Sequence, residues 1–300
     1  MTGIRTLAFL AGVFGFCSGC RESPEARAAQ LRQVQASRQQ VFAQRLATAN
    51  VNRADTPLAL WIMPPELREI SGLALTQSGR VLAHDDEVGR IYEIDPKTGL
   101  ILKRFTLDGV PHADFEAITI AGQDIYLLQS NGTLFKFKEG GDGSLVGYTR
   151  YDTKLGHECE FEAVAFEADS SRLVMPCKRV ATKGAKHDLV MYRVALPITP
   201  APNISMRVIP MADVIGANPW KSFHTSDIAI DPTTGNYVLI ASQEKALAVI
   251  TPGGSLVRSE SLPPGHDQAE GVAVTRDSIL IVSDEAGKKP ADIALYRWRP

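Results

Sequence analysis

Five stretches of the chain are variants of one template: EISGLAL (69–75), DFEAITI (114–120), EFEAVAF (160–166), HTSDIAI (224–230) and QAEGVAV (268–274). Each is a polar residue, a spacer, a second polar residue, a small residue or aspartate, and then apolar residues in alternation. Alternation with period two is the pattern of a strand. With Ser71, Glu116, Glu162, Ser226 and Glu270 as equivalents, the copies are 45, 46, 64 and 44 residues apart. The long interval holds a Pro-containing insertion, LPITPAPN and IGANPW. A supersecondary unit repeated at 20–50 residues cannot bury its own apolar face alone, so such units stack into arrays or rings.

Each copy continues alike. Second strands follow in VLAHDD, IYLLQS, LVMPCK, YVLIAS and ILIVSD, and third strands in RIYEID, TLFKFK, LVMYRVAL, LAVIT and ALYRWR. Fourth strands follow in LILKRFTL, VGYTRYD, ISMRVIP and SLVRSESL, but the fifth copy has none before Pro300. PLALWIMP (57–64) is available to supply it. Four-stranded units repeated in this way describe a β-propeller. The expectation is an all-β, five-bladed propeller over residues 57–300, with the N-terminal strand closing the last blade. A sixth blade would need another copy of the template, and a sandwich would not repeat it.

The first twenty residues, MTGIRTLAFLAGVFGFCSGC, place Arg5 before a ten-residue apolar run, too short to span a bilayer but suited to a signal-peptide core. The ending resembles a bacterial lipobox, with Cys17 where a leucine is usual. That resemblance implies a lipoprotein-type signal peptide over 1–19, a lipid anchor on Cys20, and membrane attachment through it. Arg21 stands where an inner-membrane retention aspartate would stand, which favours the periplasmic side of the outer membrane. An ordinary secretory signal or an uncleaved anchor are the alternatives, giving a periplasmic or secreted protein. Residues 21–52 form a helical spacer in this reading, with Leu31, Val34, Val41, Phe42 and Leu46 at roughly helical spacing. In an exported chain disulfides persist. Cys159 and Cys177 flank the turn EADSSR and come out opposite each other in a hairpin, so a disulfide between them is expected. The formal net charge is -2 and the domain has no basic run, so nucleic acid is not an expected partner.

The first strand of each propeller blade lines the central channel. Glu116, Glu162 and Glu270 therefore converge, while Glu69, Asp114 and Glu160 lie two residues earlier on the same strand face, and Asp227 follows Ser226. Crowded carboxylates raise one another's pKa values, and a cation relieves them. An all-oxygen donor set suits calcium, which takes six to eight oxygens, better than zinc or copper. Pairing with arginines is the alternative account. His112, His157, His224 and His266 stand before four of the templates at differing offsets, and His84 ends a second strand. They are either acid–base groups on one rim or loop histidines that hydrogen-bond between blades.

The ordered set EISGLAL, VLAHDDEVGRIYEID, DFEAITI, IYLLQSNGTLFKF, AEGVAV and ILIVSDE resembles the SdiA-regulated, YjiK-like propeller family over about residues 57–300. The resemblance implies a five-bladed ring, distantly like NHL-repeat propellers, with a calcium site and no established activity. By matching motif the calcium role passes to Glu116, Glu162 and Glu270; Ser71 and Ser226 interrupt the glutamate series and place the ion off-axis. Two functions follow as expectations. One is a binding or scaffold module for an unknown small molecule, glycan or protein at the propeller face. The other is a calcium-dependent esterase, lactonase or phosphodiesterase with those glutamates as ligands and His112 or His266 as base.

Overall fold

In the computed structural model, which describes residues 23–49, 55–181 and 185–299, the alternating stretches become five antiparallel sheets. Blade 1 runs Ile70–Leu75, Val81–Asp85, Arg90–Asp95 and Leu100–Leu107, with Leu145–Val146 added in parallel at its outer edge. Blade 2 runs Phe115–Ala121, Asp124–Gln129, Thr133–Phe137 and Tyr148–Asp152. Blade 3 has its inner strand in two pieces, Cys159–Phe161 and Ala165–Glu167, followed by Arg172–Val180, Leu189–Ala195 and Ile204–Ile209. Blade 4 runs Asp227–Ile230, Tyr237–Ala241, Ala246–Ile250 and Leu256–Ser261. Blade 5 runs Ala269–Val274, Ile279–Asp284 and Asp292–Arg297, and its outer strand is Ala59–Ile62 from the other end of the domain, paired antiparallel with Asp292–Leu295. The chain is a five-bladed β-propeller closed as its sequence pattern predicts.

Because both faces of every blade are covered by neighbours, the apolar residues gather between blades. Five buried clusters fill the seams in turn. Phe105, Phe115 and Phe135 lie between blades 1 and 2, Phe161 and Met175 between 2 and 3, Tyr237 and Leu239 between 3 and 4, Val249 and Val272 between 4 and 5, and Ile70 and Ile281 between 5 and 1. Each fully buried side chain of this size stabilises by roughly 1.5–3 kcal/mol. The insertion that lengthens the interval before blade 4 forms a short helix, Ala212–Ile215, whose Val214 is buried in the seam between blades 3 and 4.

Two expectations change in detail. The helix Pro24–Thr48, capped by the Ser23 side chain on Ala26 N, does not stand clear of the domain as a spacer would. Phe42 is buried in the seam between blades 5 and 1 and Leu46 packs beside it. Arg38 donates to Thr98 O at 2.7 Å, and Arg297 donates to Leu46 O at 2.8 Å. Leu31, Val34 and Val41 stay exposed, so only the C-terminal half of the apolar pattern is used. The Cys159–Cys177 disulfide is present, but the two residues are not paired directly: Cys159 faces Val180 and Cys177 faces Phe161. A register shift after Glu160 and the interruption of the inner strand displace the pair, and the bond closes across the strands with the Cα atoms 5.5 Å apart. The signal segment and Cys20 lie outside the described residues.

Candidate functional site at the channel mouth

Local strand chemistry explains how charged residues come to line a channel. In blades 1, 2 and 5 the inner strand carries a register shift at the template, so that Gly72, Glu116 and Glu270 are each the extra residue of a bulge. A bulge leaves its extra residue without a cross-strand partner and re-aims it. Gly72 sits at φ +55°, a conformation that costs other residues strain, and a Cβ there would meet His84 Nε2 and Ala117 Cα at 3.0 Å. The serines that replace glutamate in the template stitch blades together instead. Ser71 Oγ donates to Glu116 O at 3.0 Å and Ser226 Oγ to Ala269 O at 2.7 Å.

Below the polar residues the channel lining turns apolar. Leu73, Val164, Ile228 and Val272 help line an open pocket of about 140 Å³. Asp227, fully buried among them, accepts from the backbone N–H groups of Val272 at 2.7 Å, Ile228 at 2.8 Å and Leu73 at 3.3 Å. Burial pushes its carboxyl well up, and these three donors act against that shift. Its carboxylate braces blades 4, 5 and 1, with both oxygens already accepting from backbone N–H groups.

The template glutamates face a neighbour that the template does not contain. Lys178, at the end of the second strand of blade 3, donates to Glu162 Oε1, and the pair is nearly buried, at 17% and 7% side-chain exposure. Glu162 Oε2 is buried without a partner. Burial, then the charges of Glu162 and Asp114, push Glu116 up to about 9, with Lys178 opposing. Burial, then Glu162, push Glu270 up to about 8, with Lys178 and a Ser242 hydrogen bond opposing. One ammonium thus offsets three carboxylates.

A second acidic group lies on the same face. Glu69, Asp85 and Asp86 bring carboxylate oxygens within 4.8 Å of one another, and among the described residues no other set of three acids, histidines or cysteines is that close. Asp85 Oδ1 is used by the turn, accepting from Glu87 N at 3.0 Å and Val88 N at 3.1 Å. Asp86 Oδ1 is buried without a partner. Burial, then the charges of Glu69, Asp85 and Glu285, push Asp86 up to about 7. Glu285, itself raised by burial and by Glu69, links this group to Glu270, whose carboxyl it also raises.

Of the acids singled out in the sequence, the structure brings Glu69 into the close group and leaves Glu116, Glu162 and Glu270 around Lys178. Asp114 is exposed at the rim and Glu160 is paired with Arg179 at 2.7 Å. The template does not point to Asp85, Asp86, Lys178 or Glu285. Their signal lies in the ends of the second strands, where Asp86, Ser130, Lys178 and Ser242 occupy one column of the repeat.

The histidines divide by environment. His84 is fully buried with Nε2 unpartnered, and burial pushes it down to about 4. His266 is enclosed between Asp284 and Tyr296, donating or accepting at both ring nitrogens. His112 and His157 are exposed. His224 differs: it is part-exposed on the rim, and Glu244 holds both its Nδ1, at 2.7 Å, and its backbone N–H, at 3.1 Å.

A family model described as SdiA-regulated matches residues 63–285. Among solved structures, the chain is similar to the glutaminyl cyclase of Myxococcus xanthus, at 13% identity over 79% of this chain and 95% of that one, with a TM-score of 0.52. It is similar to a PQQ-bound aldose sugar dehydrogenase of Streptomyces coelicolor, at 11% identity over 79% and 98%, with a TM-score of 0.50. It is also similar to the virginiamycin B lyase of Staphylococcus aureus, at 13% identity over 80% and 73%, with a TM-score of 0.41. At these identities the likeness is one of fold. No curated protein matches the chain significantly.

Proposed function

The chain belongs to the SdiA-regulated family, and from that premise we propose that it is an exported, membrane-anchored propeller that binds calcium at the acidic channel mouth and serves as a binding or scaffold module. The observation that carries this reading is the convergence of Glu69, Asp85 and Asp86 within 4.8 Å, with one Asp86 oxygen buried and unpartnered. Three carboxylates leave open positions for carbonyls and water, the mixture that calcium accepts in flexible geometry. Neither nitrogen nor sulfur joins the group, which disfavours zinc and copper. Glu116, Glu162 and Glu270 line the channel beneath, where Lys178 already supplies a fixed positive charge. The ligand of the module, a small molecule, glycan or protein, docks on this same face. Export and a lipid on Cys20 rest on the N-terminal sequence pattern.

Calcium at 100 times its Kd would stabilise the folded state by about 2.7 kcal/mol. For a domain of this size that raises the melting temperature by roughly 5–10 °C. The rise is expected in the parent and lost in Glu69→Gln and Asp86→Asn. A protein purified without metal that shows no shift with calcium would refute the reading.

A further inference from the structure

His224 and Glu244 form a unit that cation binding does not use. The two come from different parts of blade 4: His224 from the lead-in to the inner strand, Glu244 from the turn after Tyr237–Ala241. That turn is held tightly. Lys245 adopts φ +51° and donates its N–H to Ser242 O at 3.1 Å, and its Nζ reaches Asp267 of the next blade at 2.6 Å. Glu244 is buried to 10% side-chain exposure and takes three donors: His224 N, the His224 ring, and Ser222 Oγ at 2.8 Å. Burial raises the Glu244 carboxyl, but those hydrogen bonds outweigh it and hold the group below its ordinary value, so it stays ionised. With the Nδ1 proton donated to Glu244, the free lone pair of His224 is on Nε2, which has no partner among the described residues, and the imidazole is 29% exposed. A buried carboxylate that fixes the tautomer of an accessible imidazole is the arrangement by which a base is oriented.

The dyad also adjoins the channel. Ser242, two residues before Glu244 in the same turn, hydrogen-bonds Glu270. The other histidines lack this combination among the described residues, since His84 and His266 are enclosed and no buried carboxylate orients the exposed His112, His157 or His187. We propose that His224, positioned by Glu244, is the general base of a hydrolytic site at the channel mouth, acting on carboxylic esters of neutral or cationic alcohols. The charge of the surroundings sets the class. Glu69, Asp85, Glu87 and Glu285 bear on Asp86, and Asp114 and Glu162 bear on Glu116, so acids outnumber the neighbouring cations Lys178 and Arg68, which disfavours anionic phosphodiesters. Nε2 takes a proton from water as the water oxygen bonds to the ester carbonyl carbon. The bond from that carbon to the alkoxy oxygen then breaks, and the departing oxygen receives the proton from Nε2–H. The products are one carboxylic acid and one alcohol, and the imidazole returns neutral.

The test is turnover of p-nitrophenyl acetate, acetylthiocholine and bis(p-nitrophenyl) phosphate by the purified chain, in EDTA and in calcium. Ester and thioester hydrolysis are expected in both media, because the dyad contains no metal ligand. His224→Gln should lower kcat about 100-fold or more, the range of general-base catalysis. Glu244→Gln should lower kcat with KM unchanged in a protein that still folds, and Glu244→Asp should restore part of it. That split separates a positioning residue from a merely structural one. Absence of ester turnover above buffer, preference for the phosphodiester, or full kcat in His224→Gln would each overturn the proposal. Loss of the calcium-induced melting shift with ester turnover intact would refute the cation reading alone.

Discussion

The proposed calcium ion would compete with protons at the mouth, and the number displaced at each pH would locate it. Asp86 is pushed up to about 7, first by burial and then by Glu69 and Asp85, so its proton competes with a cation up to neutral pH. The direction follows from the sign of the shift. A raised carboxyl favours its neutral form in the folded protein, so its contribution to stability is present below the ordinary value and is lost as pH rises through about 7. Calcium repays that loss, and its affinity should climb from about pH 5 and level off above about pH 8. An ion held by Glu69, Asp85 and Asp86 releases about 0.9 proton at pH 6, about half at pH 7 and about 0.1 at pH 8. Deeper placement between Glu116, at about 9, and Glu270, at about 8, would release about 1.4 protons at pH 8. Isothermal titration in buffers of different ionisation enthalpy, HEPES against Tris, reads the count directly. More than one proton at pH 8 would move the ion down to the template glutamates, and none at pH 6 would remove Asp86 from its ligands.

Lys178→Met should destabilise the ring by about 3 kcal/mol at neutral pH, the cost of leaving Glu162 buried and uncompensated. Urea unfolding should show the loss largely recovered in Lys178→Met combined with Glu162→Gln, and no recovery would mean that the pair is not coupled. Asp227→Ala strands the three N–H groups of Leu73, Ile228 and Val272, and should cost about 3 kcal/mol or more by the same assay. Cys159→Ala with Cys177→Ala opens a link of 18 residues in sequence and should cost about 3 kcal/mol under oxidising conditions. Equal stability of the parent with and without reductant would contradict that.

The repeat made the ring legible because period-two alternation and a fixed interval are local and countable. Blade number, strand order and the closing role of Ala59–Ile62 all follow from them. Side-chain direction at the channel was less legible because it depends on bulges. A single extra residue at Glu116 and at Glu270 changes where those carboxylates point, and no residue type in DFEAITI or QAEGVAV announces it. Asp227 looked like one more acid of the ring, yet its backbone bonds depend on how blades 4, 5 and 1 meet. The dyad was hidden for the opposite reason. His224 and Glu244 are 20 residues apart and join only when the turn after the second strand folds back on the lead-in to the first.

The pairing of Ala59–Ile62 with Asp292–Leu295 also has a consequence in time. The strand that finishes blade 5 is made before any other part of the propeller, and its partner is made last. Until blade 5 has been made, Ala59–Ile62 is a sheet-forming segment with an unsatisfied edge, open to pairing with the wrong chain. Blades 1 to 4 are able to assemble as they emerge, but their ring cannot latch. The seam between blades 5 and 1, where Phe42 also docks, then forms in one late event that makes a row of strands into a closed body.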